Sequence, residues 1–174
     1  QQDLVTKAPA AQRIPPSKIV DVVSEILDLG IKGVVVFGIP SKKDEAAKSA
    51  YNDNGIVQKS IKTIKKHFGD RIVVISDVCM CQYTNSGHCG IVNDTMVDND
   101  SSIEVLAKIA ESHATSGADI IAPSAMMDGQ VFAIREQLND AGFNDTSIMA
   151  YSAKMASSLY TPFRDLANSI PTFG

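Results

Sequence analysis

All three cysteines of this 174-residue chain lie in one short stretch, "SDVCMCQYTNSGHCGIV", Ser76 to Val92. Cys79, Cys81 and Cys89 have the spacing C-x-C-x7-C. Thiolates are soft ligands that favour zinc. Three protein ligands leave a fourth tetrahedral position for water or substrate, which marks a catalytic rather than a structural zinc. Asp77 and His88 flank the thiols and could orient ligands or move protons behind an ion. The plainer readings of the same spacing are three small buried residues or a single disulfide. A clustered, odd set of cysteines does not suit a secreted disulfide framework. A reducing, cytoplasmic setting is expected, with the thiols free for a metal or for chemistry.

A second group of candidates lies downstream. Lys154 closes the apolar run "IMAYSA". A lysine held among apolar neighbours has a depressed pKa, and its free amine can attack a carbonyl to form an imine. The bland alternative is a solvated surface lysine. Arg164, in "TPFRD", is suited to clamp a carboxylate, or else pairs with Asp165 at the surface. Ser124 has no His–Asp partners visible in the sequence and does not read as a nucleophile. Met126 and Met127 read as core filler, and His67 and His113 as solvated helix residues.

The elements that must place these residues alternate. "KIVDVVSEILDLG", after Pro15-Pro16 and a Ser17 cap, puts Ile19, Val22, Val23, Ile26 and Leu27 on one helical face. "GVVVFG" reads as a strand buried on both faces, as in a parallel sheet. "IPSKKDEAAKSAYNDNG" reads as a polar loop. "IVQKSIKTIKKHFG" is a helix with Ile56, Ser60, Ile61 and Ile64 to one side, and its "IKTIKKH" run is a charged face. "RIVVISDVC" is a second strand and delivers the cysteines at its end. "DNDSSIEVLAKIAESHATSG" is a helix with Ser101 and Glu104 at capping-box spacing. "ADIIAPSA" is a third strand. "DGQVFAIREQLNDAGF" is a helix with Asp128 as cap. "TSIMAYSAK" is a fourth strand, and a further helix begins near Pro162.

Four strand–helix repeats allow a doubly wound sheet or a (β/α) barrel. No Gly-rich dinucleotide fingerprint follows any strand. Asp77, Cys79, Cys81, Ser124 and Lys154 all fall at strand C-terminal ends, where barrel enzymes build their sites. Four strands make half of an eight-stranded barrel. A net charge of -4 gives no nucleic-acid surface, and no apolar run is long enough to span a membrane. The N-terminal "QQDLVTKAPAAQR" has no apolar core of its own and the chain stops at "NSIPTFG". Both ends read as truncated, giving one partial barrel domain over residues 1–174.

Together, "SDVCMCQYTNSGHCGIV", "DIIAPSAMMDGQVFAIREQL" and "IMAYSAKMASSLYTPFRD" resemble the porphobilinogen synthase (5-aminolevulinate dehydratase) family, with support from "LDLGIKGVVVFGIP" through "AYNDNGIVQKSIKTIKK". The resemblance implies an α/β fold, the (β/α)8 TIM barrel, with this chain covering roughly strands 2 to 5. It implies a lyase of tetrapyrrole (heme) biosynthesis that condenses two 5-aminolevulinate molecules to porphobilinogen with loss of water. Cys79, Cys81 and Cys89 match the catalytic zinc (Zn2+) ligands of the zinc-dependent branch. Lys154 matches one of two Schiff-base lysines, and Arg164 a carboxylate-binding arginine. Asp77 and Ser124 match polar positions near the lysines. An additional Mg2+ and a homo-octamer are expected of the intact enzyme. The second lysine, in a Met-Val-Lys-Pro-like motif, is not in this sequence, and Ala125 stands where many members carry Asp. The piece alone is therefore expected to be inactive. The competing reading is a non-catalytic zinc-binding half-barrel module.

Overall fold

A computed structural model of the chain describes residues 12–155, 157, 158 and 160–173. Its strands are β1 (Gly33–Val36), β2 (Val73–Val78), β3 (Ile91–Asn93), β4 (Met96–Asp98), β5 (Ile120–Pro123) and β6 (Ser147–Ile148). Its α-helices are α1 (Ile19–Asp28), α2 (Ile56–Phe68), α3 (Asn99–Thr115), α4 (Gln130–Asp140) and α5 (Thr161–Ala167). The main sheet has the order β1-β2-β5-β6, with every pair parallel. Parallel neighbours need crossovers, and α2, α3 and α4 supply them. Chain order and sheet order run together without reversing. A doubly wound sheet reverses at its switch point, whereas a barrel does not.

The helices cover one face of this sheet. Val23 of α1, Ile61 and Ile64 of α2, Leu106 and Ile109 of α3, and Ile134 and Leu138 of α4 are buried in one core with Val74 and Ile121. Strand side chains alternate, so the opposite face carries the other half of each strand. There Val35 and Phe37 are each 41% exposed and Val73 is exposed too. The expectation that "GVVVFG" is buried on both faces is thus not met. Only Val34 and Val36 pack on the core. In a (β/α)8 barrel the inner face is filled by layers of side chains from alternate strands around the whole ring, and four strands cannot complete those layers.

Several local expectations shift. Ser17 does not cap α1; it lies in a 3₁₀ turn, Pro16–Lys18, and the helix has no side-chain cap. Helix α3 starts at Asn99, two residues before Ser101. Asp98 is its N-cap, and its carboxylate accepts from the Ser101 backbone N–H at 3.1 Å and from Ser101 Oγ at 2.8 Å. Asp128 does not cap α4. Its backbone N–H donates to Asn99 Oδ1 at 2.8 Å and its carbonyl accepts from Asn99 Nδ2 at 3.1 Å, joining the start of α3 to the start of α4. The "polar loop" after β1 contains a 3₁₀ helix, Lys48–Tyr51, and two fully buried alanines, Ala47 and Ala50. The antiparallel pair β3–β4 is an addition, with a two-residue turn in which Asp94 has φ 54°. Regular pairing in the fourth strand covers only β6, but its hydrogen bonds continue from Met149 N–H to Ile121 O and from Tyr151 N–H to Pro123 O.

His67 is exposed, as expected, but His113 is 1% exposed. Helix α3 packs on α2, α4 and the sheet, which buries both of its sides. Among the described residues neither ring nitrogen of His113 has a hydrogen-bond partner. Burial pushes its pKa down to about 3, so the ring is neutral. No helix among the described residues is long and apolar enough to cross a membrane. The sequence readings that concern residues 1–11 lie outside the described residues.

Candidate functional site

Register brings three strand ends to one place. Asp77 pairs with Ala122 and Val78 with Pro123. The next residue of each strand, Cys79 and Ser124, therefore leaves the sheet side by side, and the Ser124 N–H donates to Val78 O at 3.1 Å. The Tyr151 bond to Pro123 O carries the third chain past the same point, and Lys154 follows three residues on. The lysine Nζ donates to the Ser124 carbonyl at 2.8 Å.

The cysteine loop turns back sharply after β2, with the Tyr83 and Thr84 N–H groups both bonded to Met80 O. This brings the Sγ atoms of Cys79, Cys81 and Cys89 within 4.8 Å of one another, and that of Cys79 within 3.4 Å of that of Cys81. All three are free thiols, two of them buried. A tetrahedral ion with metal–sulfur bonds of about 2.3 Å separates its sulfurs by about 3.8 Å. The triad therefore has the spacing and the donor type to hold a metal ion. Its own electrostatics favour a cation. Hydrogen bonds from Cys79 and Cys81 pull the Cys89 pKa down, while bonds to Cys79 and Cys89, followed by burial, push Cys81 up. The cluster alone favours a thiolate at the half-buried Cys89 only; three thiolates require a positive charge beside them.

Asp77 is 7% exposed, and both of its oxygens are engaged. Ser124 Oγ donates to Oδ1 at 2.6 Å and Gln82 Nε2 to Oδ2 at 3.3 Å. Burial, then repulsion from Cys79, raises its pKa to about 7. Ser124 thus serves a carboxylate, and no imidazole contacts it among the described residues.

Lys154 departs from expectation. Burial lowers its pKa, but the charges on Cys79 and Cys89 outweigh burial and the net shift is upward. The sequence reading counted the apolar neighbours and missed the thiols across the site. A divalent cation among the thiolates would cancel their pull and leave burial as the dominant influence. The ammonium also lies 5.4 Å from the centre of the Tyr160 ring.

These groups open on a cavity of about 260 Å³, lined by Asp77, Cys81, Gln82, Ser124 and Lys154 on one side and by Phe37, Tyr151, Tyr160 and Phe163 on the other. Phe163 packs edge-on against Phe37, with centroids 5.1 Å apart, and stacks on Tyr160 at 5.8 Å. Arg164 sits beside the cavity rather than in its wall, with its guanidinium 5.1 Å from the Tyr160 ring centre. Among the described residues it makes no ion pair with Asp165. His88 does not join the thiols; its ring stacks on Phe173 at 4.0 Å and its Nε2 has no partner among the described residues. Ala125 is buried at 2% exposed. Met127 packs on the core as expected, whereas Met126 is 45% exposed with φ 62°.

Sequence reasoning missed Gln82, Lys43 and the aromatic wall. Lys43 Nζ donates to the carbonyls of Cys81, at 3.5 Å, and Asn168. Adjacency to Cys81 was the one available signal for Gln82; nothing local marked the others.

Comparison with known proteins gives the same picture. The profile of the delta-aminolevulinic acid dehydratase family matches residues 1–174. The delta-aminolevulinic acid dehydratase of Methanothermus sociabilis is 50% identical over 173 residues, which is 99% of this chain and 53% of that protein. That of Bacillus subtilis is 51% identical over 170 residues, 98% of this chain and 52% of that protein. The chain thus spans about half the length of these relatives. The crystal structure of the Toxoplasma gondii delta-aminolevulinic acid dehydratase (porphobilinogen synthase), in complex with the reaction product porphobilinogen, superposes with a TM-score of 0.91 at 38% identity, over 95% of this chain and 48% of that one. The parallel sheet is accordingly half of a (β/α)8 barrel, with the thiols, carboxylate and lysine at its strand ends. The chain belongs to the delta-aminolevulinic acid dehydratase family.

Proposed function

We propose that the intact protein condenses two molecules of 5-aminolevulinate to porphobilinogen with loss of water, and that residues 1–174 form one partial barrel domain contributing the metal loop and one of two Schiff-base lysines. The observation that carries this reading is one cavity lined by Cys81 of the three-thiol cluster, the buried Asp77 carboxyl and the Lys154 amine. Cys79, Cys81 and Cys89 would hold zinc, for which three thiolates and an open position are suited. Bound there, zinc would supply Lewis acidity to the site.

The chain's own residues do the rest. The neutral Lys154 amine attacks the ketone carbon of a 5-aminolevulinate molecule, a C–N bond forms, and loss of the ketone oxygen as water leaves an imine. The imine draws electrons from the neighbouring carbon and so eases loss of its proton. Burial raises the Asp77 pKa towards neutrality, so the carboxyl can accept a proton and return one. Ser124 holds that carboxylate by its hydroxyl and the lysine by its carbonyl, fixing one against the other. Arg164, on α5, would take the substrate carboxylate. The aromatic wall excludes water from the imine. The intact protein is expected to be a cytoplasmic homo-oligomer.

The test is product formation. The intact, zinc-loaded protein should convert 5-aminolevulinate to a pyrrole, and chelation should abolish this reversibly. Zinc binding without any pyrrole from the intact protein would favour a non-catalytic metal module instead.

A further inference from the structure

Helix α5 lends Phe163 to the wall of the cavity, where the ring packs edge-on against Phe37 at 5.1 Å. The helix spans seven residues, Thr161–Ala167, and has no side-chain N-cap. An isolated helix needs about 12–15 residues to be even marginally stable in water, so one of this length persists only through what it is fastened to. Its last turn is closed by Asn168 in the left-handed region, φ 51°. There the Asn168 N–H donates to Asp165 O at 3.3 Å and the Ser169 N–H to Arg164 O at 3.0 Å. The carbonyls that follow have no partner within the helix, and this end carries the negative pole of the helix dipole.

Two cationic side chains from distant parts of the chain take carbonyls at that end. Arg13, from the segment before α1, donates through Nε to Leu166 O at 2.9 Å. Lys43, from the loop after β1, donates through Nζ to Asn168 O. Basic side chains bonded to the last carbonyls of a helix stabilise its C-terminal end. Lys43 stands on a fixed base. The next residue, Asp44, bridges to Thr84, donates its N–H to Tyr83 O at 3.1 Å and accepts from the Asn85 N–H at 3.3 Å. Its carboxylate accepts from the Ala46 N–H at 2.9 Å and the Lys48 N–H at 3.2 Å, which closes the loop on itself. The Lys43 side chain therefore crosses from a braced loop to α5. We propose that Lys43 and Arg13 are positioning residues that hold the C-terminal end of α5 and, through it, Phe163 against Phe37 as a wall of the substrate cavity. The inference rests on the reading of this cavity as the 5-aminolevulinate site and assigns a role to two residues that do not line it.

The test uses two variants of the intact, zinc-loaded protein. Lys43→Met keeps the apolar stem and removes the donor, and Arg13→Gln removes the guanidinium. Amide hydrogen exchange reads the α5 segment without substrate, initial rates give kcat and KM for 5-aminolevulinate, chelator competition gives the zinc dissociation constant, and thermal melts report folding. Each variant is expected to speed exchange of the α5 amides by about threefold or more, with α2 and α3 unchanged. KM is expected to rise by about threefold or more and kcat to fall by less than that factor, because a loosened wall weakens substrate binding. A merely structural role would speed exchange throughout and lower the active fraction, leaving KM alone. Folded Lys43→Met protein with α5 exchange or KM changed by less than about threefold would overturn the proposal. Loss of zinc affinity by more than about threefold would also overturn it, since Lys43 would then be acting on the metal loop at the Cys81 carbonyl. If Lys43→Met does not fold, Arg13→Gln, at an exposed position, decides by the same exchange and KM readings. If the wild type makes no pyrrole, the functional reading has failed, and exchange alone decides whether the two cations hold α5.

Discussion

His113 offers the sharpest quantitative prediction. Its ring is buried in α3, both nitrogens lack partners among the described residues, and its pKa is pushed down to about 3. An unfolded chain returns it to about 6.5. The folded pKa lies below the unfolded one, so below pH 6.5 the unfolded state binds the extra proton. The contribution to stability is whole above pH 6.5 and is lost progressively as pH falls towards 3. Each unit between those limits costs about 1.4 kcal/mol, so lowering the pH from 7 to 5 should remove about 2 kcal/mol. His113→Leu replaces the ring with an apolar side chain and removes the titration. Urea unfolding of both proteins at pH 7 and pH 5 should show the wild type losing about 2 kcal/mol more than the variant. The imidazole NMR resonances of His113 in the folded protein should not move between pH 7 and pH 5. Titration of that ring near 6.5, or equal acid sensitivity of the two proteins, would refute the argument that burial alone keeps it neutral.

Two further outcomes follow from the site. Cys81→Ala removes one of the three sulfurs and should weaken zinc by about 100-fold or more in chelator competition, with a fold intact by circular dichroism; unchanged affinity would remove Cys81 from the ligand set. Ser124→Ala removes the 2.6 Å hydrogen bond to Asp77. A bond to a charged group is worth about 1.5–3 kcal/mol, so the Asp77 pKa should rise from about 7 by about one to two units. The limb of the kcat–pH profile that reports Asp77 should move to higher pH by that amount, and an unmoved limb would show that Asp77 does not set it.

Much of the architecture was legible because it repeats. Valine-rich runs separated by amphipathic helices fixed the alternation, and the chemically distinctive residues fell at strand ends, where register then set Asp77, Cys79 and Ser124 side by side. The short pair β3–β4 was not legible, because three-residue strands carry too little alternation to register; Asn93-Asp94 was the one turn signal there. His113 shows a type prior overriding a position. It lies four residues after Ile109 and three after Ala110, so it continues the buried stripe of α3, yet histidine reads as a surface residue. The Lys154 shift and the Gln82 bond to Asp77 depend on groups brought together only by the loop's turn and the strand register. No local window contains them. The aromatic wall joins Phe37, at the end of β1, to Tyr160 and Phe163 more than a hundred residues later, and only the folded chain places those rings together.

The most direct test of the account is covalent capture. The intact, zinc-loaded protein is treated with borohydride in the presence of 5-aminolevulinate, digested and mapped by mass spectrometry. The account predicts a reduced adduct on Lys154, abolished by Lys154→Ala together with turnover. An adduct confined to other lysines, with turnover surviving in Lys154→Ala, would contradict it.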